Sequence, residues 1–196
     1  MVETTSSAKK LANEAVDWAA KQKLLQLSEI SLVLDTYDDI FSDFDPRSYD
    51  NRSLSDDFLV EIKRATREKK SGVIELNFLV PLEKRREDTE AKIRKRLRDY
   101  FKKHYELTKK EIDTVRSKGA IMICLGMILS VIAAVFVYPN ESSNILNNII
   151  LVLIEPAAWF TIWEGANRFF YTWKVMEPDL EFFRKMIKCE ISFTAY

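Results

Sequence analysis

The chain is poor in the residues that most sharply define chemistry: four glycines, two cysteines and one histidine in 196 positions. Each scarcity excludes something. With four isolated glycines there is no phosphate-cradling loop of the G-x-x-x-x-G-K or G-x-G-x-x-G kind. Cys124 lies in an apolar run and Cys189 near the end of the sequence, so no disulfide framework is implied. No serine stands in a G-x-S-x-G context and neither cysteine has a histidine nearby, which leaves nucleophilic catalysis without apparatus. The expected catalytic and cofactor-binding sets are therefore empty. Thirty basic residues balance thirty acidic ones, and net charge names no partner.

Long uncharged runs are present. Residues 119–138, GAIMICLGMILSVIAAVFVY, carry no charge, and twenty residues of helix span about 30 Å, the thickness of a bilayer's hydrocarbon. A second run, ILNNIILVLIEPAAWFTIW (145–163), is interrupted by Asn147, Asn148, Glu155 and Pro156. The linking PNESSN is short and has no Lys or Arg, whereas Lys109, Lys110, Arg116 and Lys118 precede the first run and Arg168 and Lys174 follow the second. That asymmetry predicts an antiparallel transmembrane hairpin with both termini cytosolic, in an inner or plasma membrane. The first thirty residues lack an apolar h-region, so no cleavable signal peptide is expected.

Periodicity predicts an amphipathic helix over 8–27, with Leu11, Ala15 and Trp18 on one face. EISLVLDTY alternates as a strand, and 38–53 reads as a loop. Ser53 and Ser55 followed by Asp56 and Asp57 mark a helix start, with Leu54, Phe58, Leu59, Ile62 and Ala65 as its apolar stripe and Gly72 as its stop. GVIELNFLVP is a second strand, with Ile74, Leu76, Phe78 and Val80 alternating against Glu75 and Asn77. A strand, a helix and a strand in this order default to a right-handed parallel crossover. From Leu82 to Lys118 the seam Ile93, Leu97, Tyr100, His104, Leu107 predicts a long helix that runs into the first span and packs on the sheet or on another copy. DLEFFRKMIK is a return helix, and CEISFTAY alternates as a third strand that joins the same sheet.

The expected fold is an α/β cytosolic domain with a small three-stranded sheet, completed from the C-terminal end, plus a two-helix transmembrane hairpin. Its parts are 1–27, 28–118, 119–163 and 164–196.

Five places invite a functional reading. Asp35, Asp38, Asp39, Asp43 and Asp45 follow the first strand, where parallel sheets place their sites. Asp35, Asp38, Asp43 and Asp45 are candidate ligands for Mg²⁺ or Ca²⁺, since hard cations take carboxylate oxygens. Tyr37 breaks an Asp-x-Asp hydrolase pattern, however, and the glycine and closing glutamate of a calcium loop are missing. The bland alternative is that these acids cap helices or pair with Arg47 and Arg52. Arg47, Tyr49 and Arg52 beside a helix start suggest an anion site, countered by Asp56 and Asp57 at that same end.

The ten basic residues between Lys84 and Lys103 are interleaved with acids, which disfavours nucleic acid and suits a solvated face near anionic lipid. Glu155 and Asn148 form an intramembrane polar pair, since an acid at mid-membrane must face protein or water. Gly126, Ser130 and Ala134 recur at every fourth position, a stripe suited to close helix packing.

DIFSDFDPRSYDNRSLSDDFLVEIKRA, followed by a strand and a basic helix, resembles an uncharacterised group of small prokaryotic two-span membrane proteins over residues 28–120. The resemblance implies no activity and no site residues. The expected function is a membrane-anchored protein-interaction or self-association module, with the bilayer and a second copy or another protein as partners. Two alternatives stand beside it: an oligomeric effector or channel using Glu155, and a metal-dependent enzyme at the acidic loop.

Overall fold

The computed structural model describes residues 30–68, 74–137 and 145–196. The expected helix over 8–27, the stop at Gly72 and the PNESSN turn lie outside the described residues. The chain divides into two compact units, one holding the described residues up to Lys103 together with Phe182–Tyr196, the other His104–Glu181.

In the first unit, β1 (Ile30–Val33), β2 (Glu75–Val80) and β3 (Glu190–Ala195) form a three-stranded sheet in the order β1-β2-β3, parallel throughout. The C-terminal strand thus joins the sheet, as its alternation predicts. In register, Ile30, Leu76 and Ile191 form one row and Leu32, Phe78 and Phe193 the next. Three helices supply the other side of this core: α1 (Asp56–Glu68) through Phe58 and Ile62, α2 (Glu87–Ile132) through Ile93, Leu97 and Phe101, and α4 (Glu177–Ile187) through Phe182 and Met186. Residue content is mostly helical, so "α/β" describes the sheet and its crossover rather than the proportions.

Four expectations change in detail. The seam of α2 runs Ile93, Leu97, Phe101 at a strict spacing of four, all fully buried, and Tyr100 is only partly covered. This seam packs on the sheet, which answers the first of the two packing options. The segment expected as loop holds a 3-10 turn at Tyr37–Ile40 and a bridge pairing Phe41 with Leu54, and it sends Tyr37, Ile40 and Phe41 into the core. Side chains three apart eclipse in a 3-10 turn, so Tyr37 and Ile40 face the core together.

The alternation in β2 does not leave a solvated face. Asn77 and Leu79 are buried with Leu76 and Phe78, and β2 is the central strand, with Val33 and Thr194 in register on either side of Leu79. Asn77 is satisfied there: its Oδ1 accepts the Ser192 hydroxyl at 3.2 Å and the Thr194 hydroxyl at 2.8 Å. Finally, α2 begins at Glu87, after a separate 3-10 turn at Leu82–Lys84. Glu87, Asp88 and Glu90 in its first turn suit the positive end of the helix dipole.

The second unit contains the rest of α2, a π-helical turn at Ala133–Val137, and α3 (Ile145–Phe170), followed by a 3-10 turn at Thr172–Val175. α2 is long and apolar enough to cross a membrane, and little of that stretch is buried by the rest of the chain. Pro156 sits inside α3 without ending it.

Candidate functional site

The acidic loop comes first because it stands at the carboxyl end of β1. Asp39 turns back on the chain, its Oδ2 accepting the amides of Asp35 at 2.7 Å and Thr36 at 2.9 Å. This closes the start of the 3-10 turn. Asp38 receives the Arg52 guanidinium and the Tyr49 hydroxyl, the latter at 3.2 Å. Asp43, almost fully exposed, approaches the same arginine at 4.0 Å. Asp45 accepts the Ser53 amide at 2.7 Å and the Arg47 amide at 3.1 Å while holding the Arg47 side chain through two nitrogens. The arginine bonds and the Ser53 amide hold the Asp45 carboxyl far below the carboxylate range. Burial, then the Asp38 charge, pushes the Tyr49 phenol up.

The four candidate ligands therefore do not converge. Asp38 and Asp43 share Arg52, Asp45 faces Arg47 and Ser53, and Asp35 is exposed with its carbonyl taken by Lys84 Nζ at 2.9 Å. Among the described residues no group of three His, Cys, Asp or Glu is placed to hold a metal ion. Arg47 and Arg52, the anion-site candidates, are occupied by these same carboxylates. Arg52 also donates to the Ser42 carbonyl, and its own carbonyl accepts from Arg96 of α2 at 2.9 Å.

A second cluster, not visible as a motif, lies at the same end of the sheet. Glu90, 1% exposed, accepts the Tyr37 hydroxyl at 3.0 Å and two Arg85 nitrogens at 2.9 and 3.0 Å, with Arg94 at 3.5 Å. The Tyr37 oxygen in turn accepts the Arg86 amide at 3.0 Å. Burial drives the Glu90 carboxyl up, but the bonds from Arg85 and Tyr37 outweigh it and hold the group below its ordinary value. Burial raises the Tyr37 phenol. Phe193 of β3 completes the cluster, edge-on to Tyr37 and beneath the Arg94 guanidinium at 5.4 Å. The knot ties together the segments that leave β1 and β2, the first turn of α2 and the last strand. An acid in the first turn of a helix directly after a strand was its one sequence signal.

In the second unit, α2 and α3 pack closely and run antiparallel. A Cβ built on Gly119 would lie 2.7 Å from the Phe169 amide nitrogen and 2.8 Å from the Gly165 carbonyl; one on Gly126 would lie 2.9 Å from the Ala158 carbonyl. Such approaches admit only hydrogen at these positions. The seam thus passes through Gly119, Gly126 and Ala133 at every seventh residue, against Gly165 and Ala158. Of the predicted stripe, Gly126 lies on it, Ser130 lies beside it with its hydroxyl on the Gly126 carbonyl at 3.0 Å, and Ala134 is exposed. Gly165 was the residue missed.

Ser130, Ala133, Val152, Glu155, Pro156 and Trp159 border a groove of about 650 Å³ on this helix pair. Glu155 is exposed there and makes no hydrogen bond or ion pair with any described residue. The side chain of Asn148 lies outside the described set. At the opposite end, Arg116 lies over the rings of Phe169 at 5.3 Å and Trp173 at 5.4 Å. Comparison with protein-family models, with curated proteins and with solved structures finds no match.

Proposed function

We propose that α2 and α3 cross the bilayer as an antiparallel hairpin and that the three-stranded unit, on the cytosolic side, is an anchored module for association with another protein or a second copy. The observation that carries this reading is the outward face of the helix pair. Ile121, Leu125, Ile128 and Val131 on α2 and Val152, Leu153, Trp159, Phe160 and Trp163 on α3 are all exposed. So much contiguous apolar surface suits lipid, and glycine-to-glycine contact is how helices associate where no hydrophobic force separates lipid from protein. Lys and Arg flank the helix ends away from PNESSN, which supports placing that side in the cytosol. A binding role is supported by the polar groups at the carboxyl end of β1, most of which are engaged with one another and with their own loops.

The second reading, an oligomeric effector or channel, rests on Glu155. An acid within an apolar span costs roughly 2.5–3.5 kcal/mol at mid-membrane, and Glu155 has no partner among the described residues, which favours a protein surface over the groove. The metal-dependent enzyme gains no support, since Asp38, Asp43 and Asp45 face arginines and backbone amides and do not converge with Asp35. Light scattering of the detergent-solubilised full chain separates the first two. A monomer or dimer, with no ion flux from proteoliposomes, fits the anchored module. A larger closed assembly with flux abolished by Glu155→Gln would replace it with the channel.

A further inference from the structure

Arg116 stands one helical turn before Gly119, at the end of the helix pair where Phe169, Tyr171 and Trp173 cluster. Its guanidinium lies over the Phe169 and Trp173 rings, at 5.3 and 5.4 Å from their centroids. No carboxylate takes it: among the described residues Arg116 has no ion pair, and Glu164, the acid in this part of α3, is bound to Arg168 at 2.7 Å. A guanidinium held over ring faces keeps its N–H donors for other acceptors, and among the described residues those of Arg116 have none. The rings also remove side-chain freedom that an arginine ordinarily loses on binding an anion. Lys174 repeats the arrangement over Tyr171 at 5.2 Å.

We infer that Arg116, held by Phe169 and Trp173, is a binding site for the phosphate of an anionic phospholipid headgroup on the cytosolic leaflet. The inference rests on the membrane-spanning reading above, because only then does the helix end meet headgroups. An arginine fork matches two phosphate oxygens, aromatic rings prefer the depth at which headgroups begin, and a cation without an acid partner is complementary to the anionic leaflet. The site thereby sets the depth and rotation of the hairpin.

The test uses the full chain, with Arg116→Gln and Trp173→Leu, reconstituted in vesicles of equal parts phosphatidylcholine and phosphatidylglycerol. Native mass spectrometry then reads the lipids retained by each protein. The parent should retain phosphatidylglycerol over phosphatidylcholine by about fivefold, the order expected for one basic residue at an anionic surface. Arg116→Gln should fall to the bulk ratio, and Trp173→Leu, which keeps the charge but loses a ring, should fall between. Equal retention by parent and Arg116→Gln would overturn the site. Loss of the preference on adding inorganic phosphate at equal concentration would also overturn it, by showing a free-phosphate site. Carbonate extraction of the parent distinguishes the two levels: resistance without lipid preference defeats this inference alone, whereas release from the vesicles defeats the membrane-spanning reading and the site with it.

Discussion

Replacing Glu90 by Leu removes one carboxylate from three donors, Tyr37 Oη at 3.0 Å and Arg85 Nε and Nη2 at 2.9 and 3.0 Å. Hydrogen bonds to charged groups contribute roughly 1.5–3 kcal/mol each, which bounds the loss at about 5–9 kcal/mol. Two effects reduce it: the carboxylate's own desolvation cost disappears, and Arg85, 30% exposed, regains water. Removing one side of a buried pair typically costs about 3–5 kcal/mol, and the exposure of Arg85 places this case near 3. Hydrogen exchange of the full chain in detergent measures it through the amides of β1 and β2, which open with the sheet. Protection should fall roughly a hundredfold, the equivalent of about 3 kcal/mol. A fall of less than threefold would refute the knot as a stabilising feature. The pH dependence supplies a second reading. Because the folded-state carboxyl is held below its ordinary 4.5, its stabilisation is complete above that pH and is lost as pH falls through the depressed value. Glu90→Gln should flatten this part of the acid-unfolding profile.

Three further outcomes follow from the geometry. Gly165→Val forces methyl groups into the Gly119 carbonyl, 2.8 Å from a built Cβ, and should weaken helix pairing by about 1–3 kcal/mol, read as lower fluorescence transfer between labels on α2 and α3; unchanged transfer would refute the seam. Asn77→Leu takes the acceptor from the Thr194 hydroxyl, while Ser192 keeps the Glu75 carboxylate at 3.2 Å, and should cost about 1–2 kcal/mol in denaturant melts, against no change if those bonds are incidental. Deleting residues 189–196 strips β3 from β2, exposing Leu76 and Phe78, and should abolish the cooperative transition of the sheet unit; an intact melt would mean that β3 contributes nothing to it.

The parts of the fold that follow local periodicity were legible in the chain. Ile30, Leu32 and Leu34, then Leu76, Phe78 and Val80, then Ile191 and Phe193 alternate within single segments, and a strand's face repeats every two residues. The uninterrupted α2 was legible for the same reason. Glu90 was not. Its partner Tyr37 lies 53 positions away, in a segment whose composition reads as loop, and no local spacing links them. The carboxylates of the acidic loop were visible as a group, but their assignment to Arg52, Arg47 and four backbone amides depends on how the loop folds back across the Phe41–Leu54 bridge. The helix seam was half legible: small residues announced close packing, but the choice between a spacing of four and one of seven was made by Gly165 on the other helix.

Two-sided cysteine labelling tests the membrane hairpin most directly. Cys189 is buried and Cys124 lies in the apolar stretch, so both are replaced and single cysteines are placed at Phe44 (97% exposed), Val175 (82% exposed) and Ser142 in the PNESSN segment. In sealed cells an impermeant maleimide should label Ser142→Cys alone, and Phe44→Cys and Val175→Cys should react only after the membrane is opened. Labelling of Phe44→Cys or Val175→Cys from outside, or of all three positions alike in sealed cells, would contradict a hairpin with the sheet unit in the cytosol.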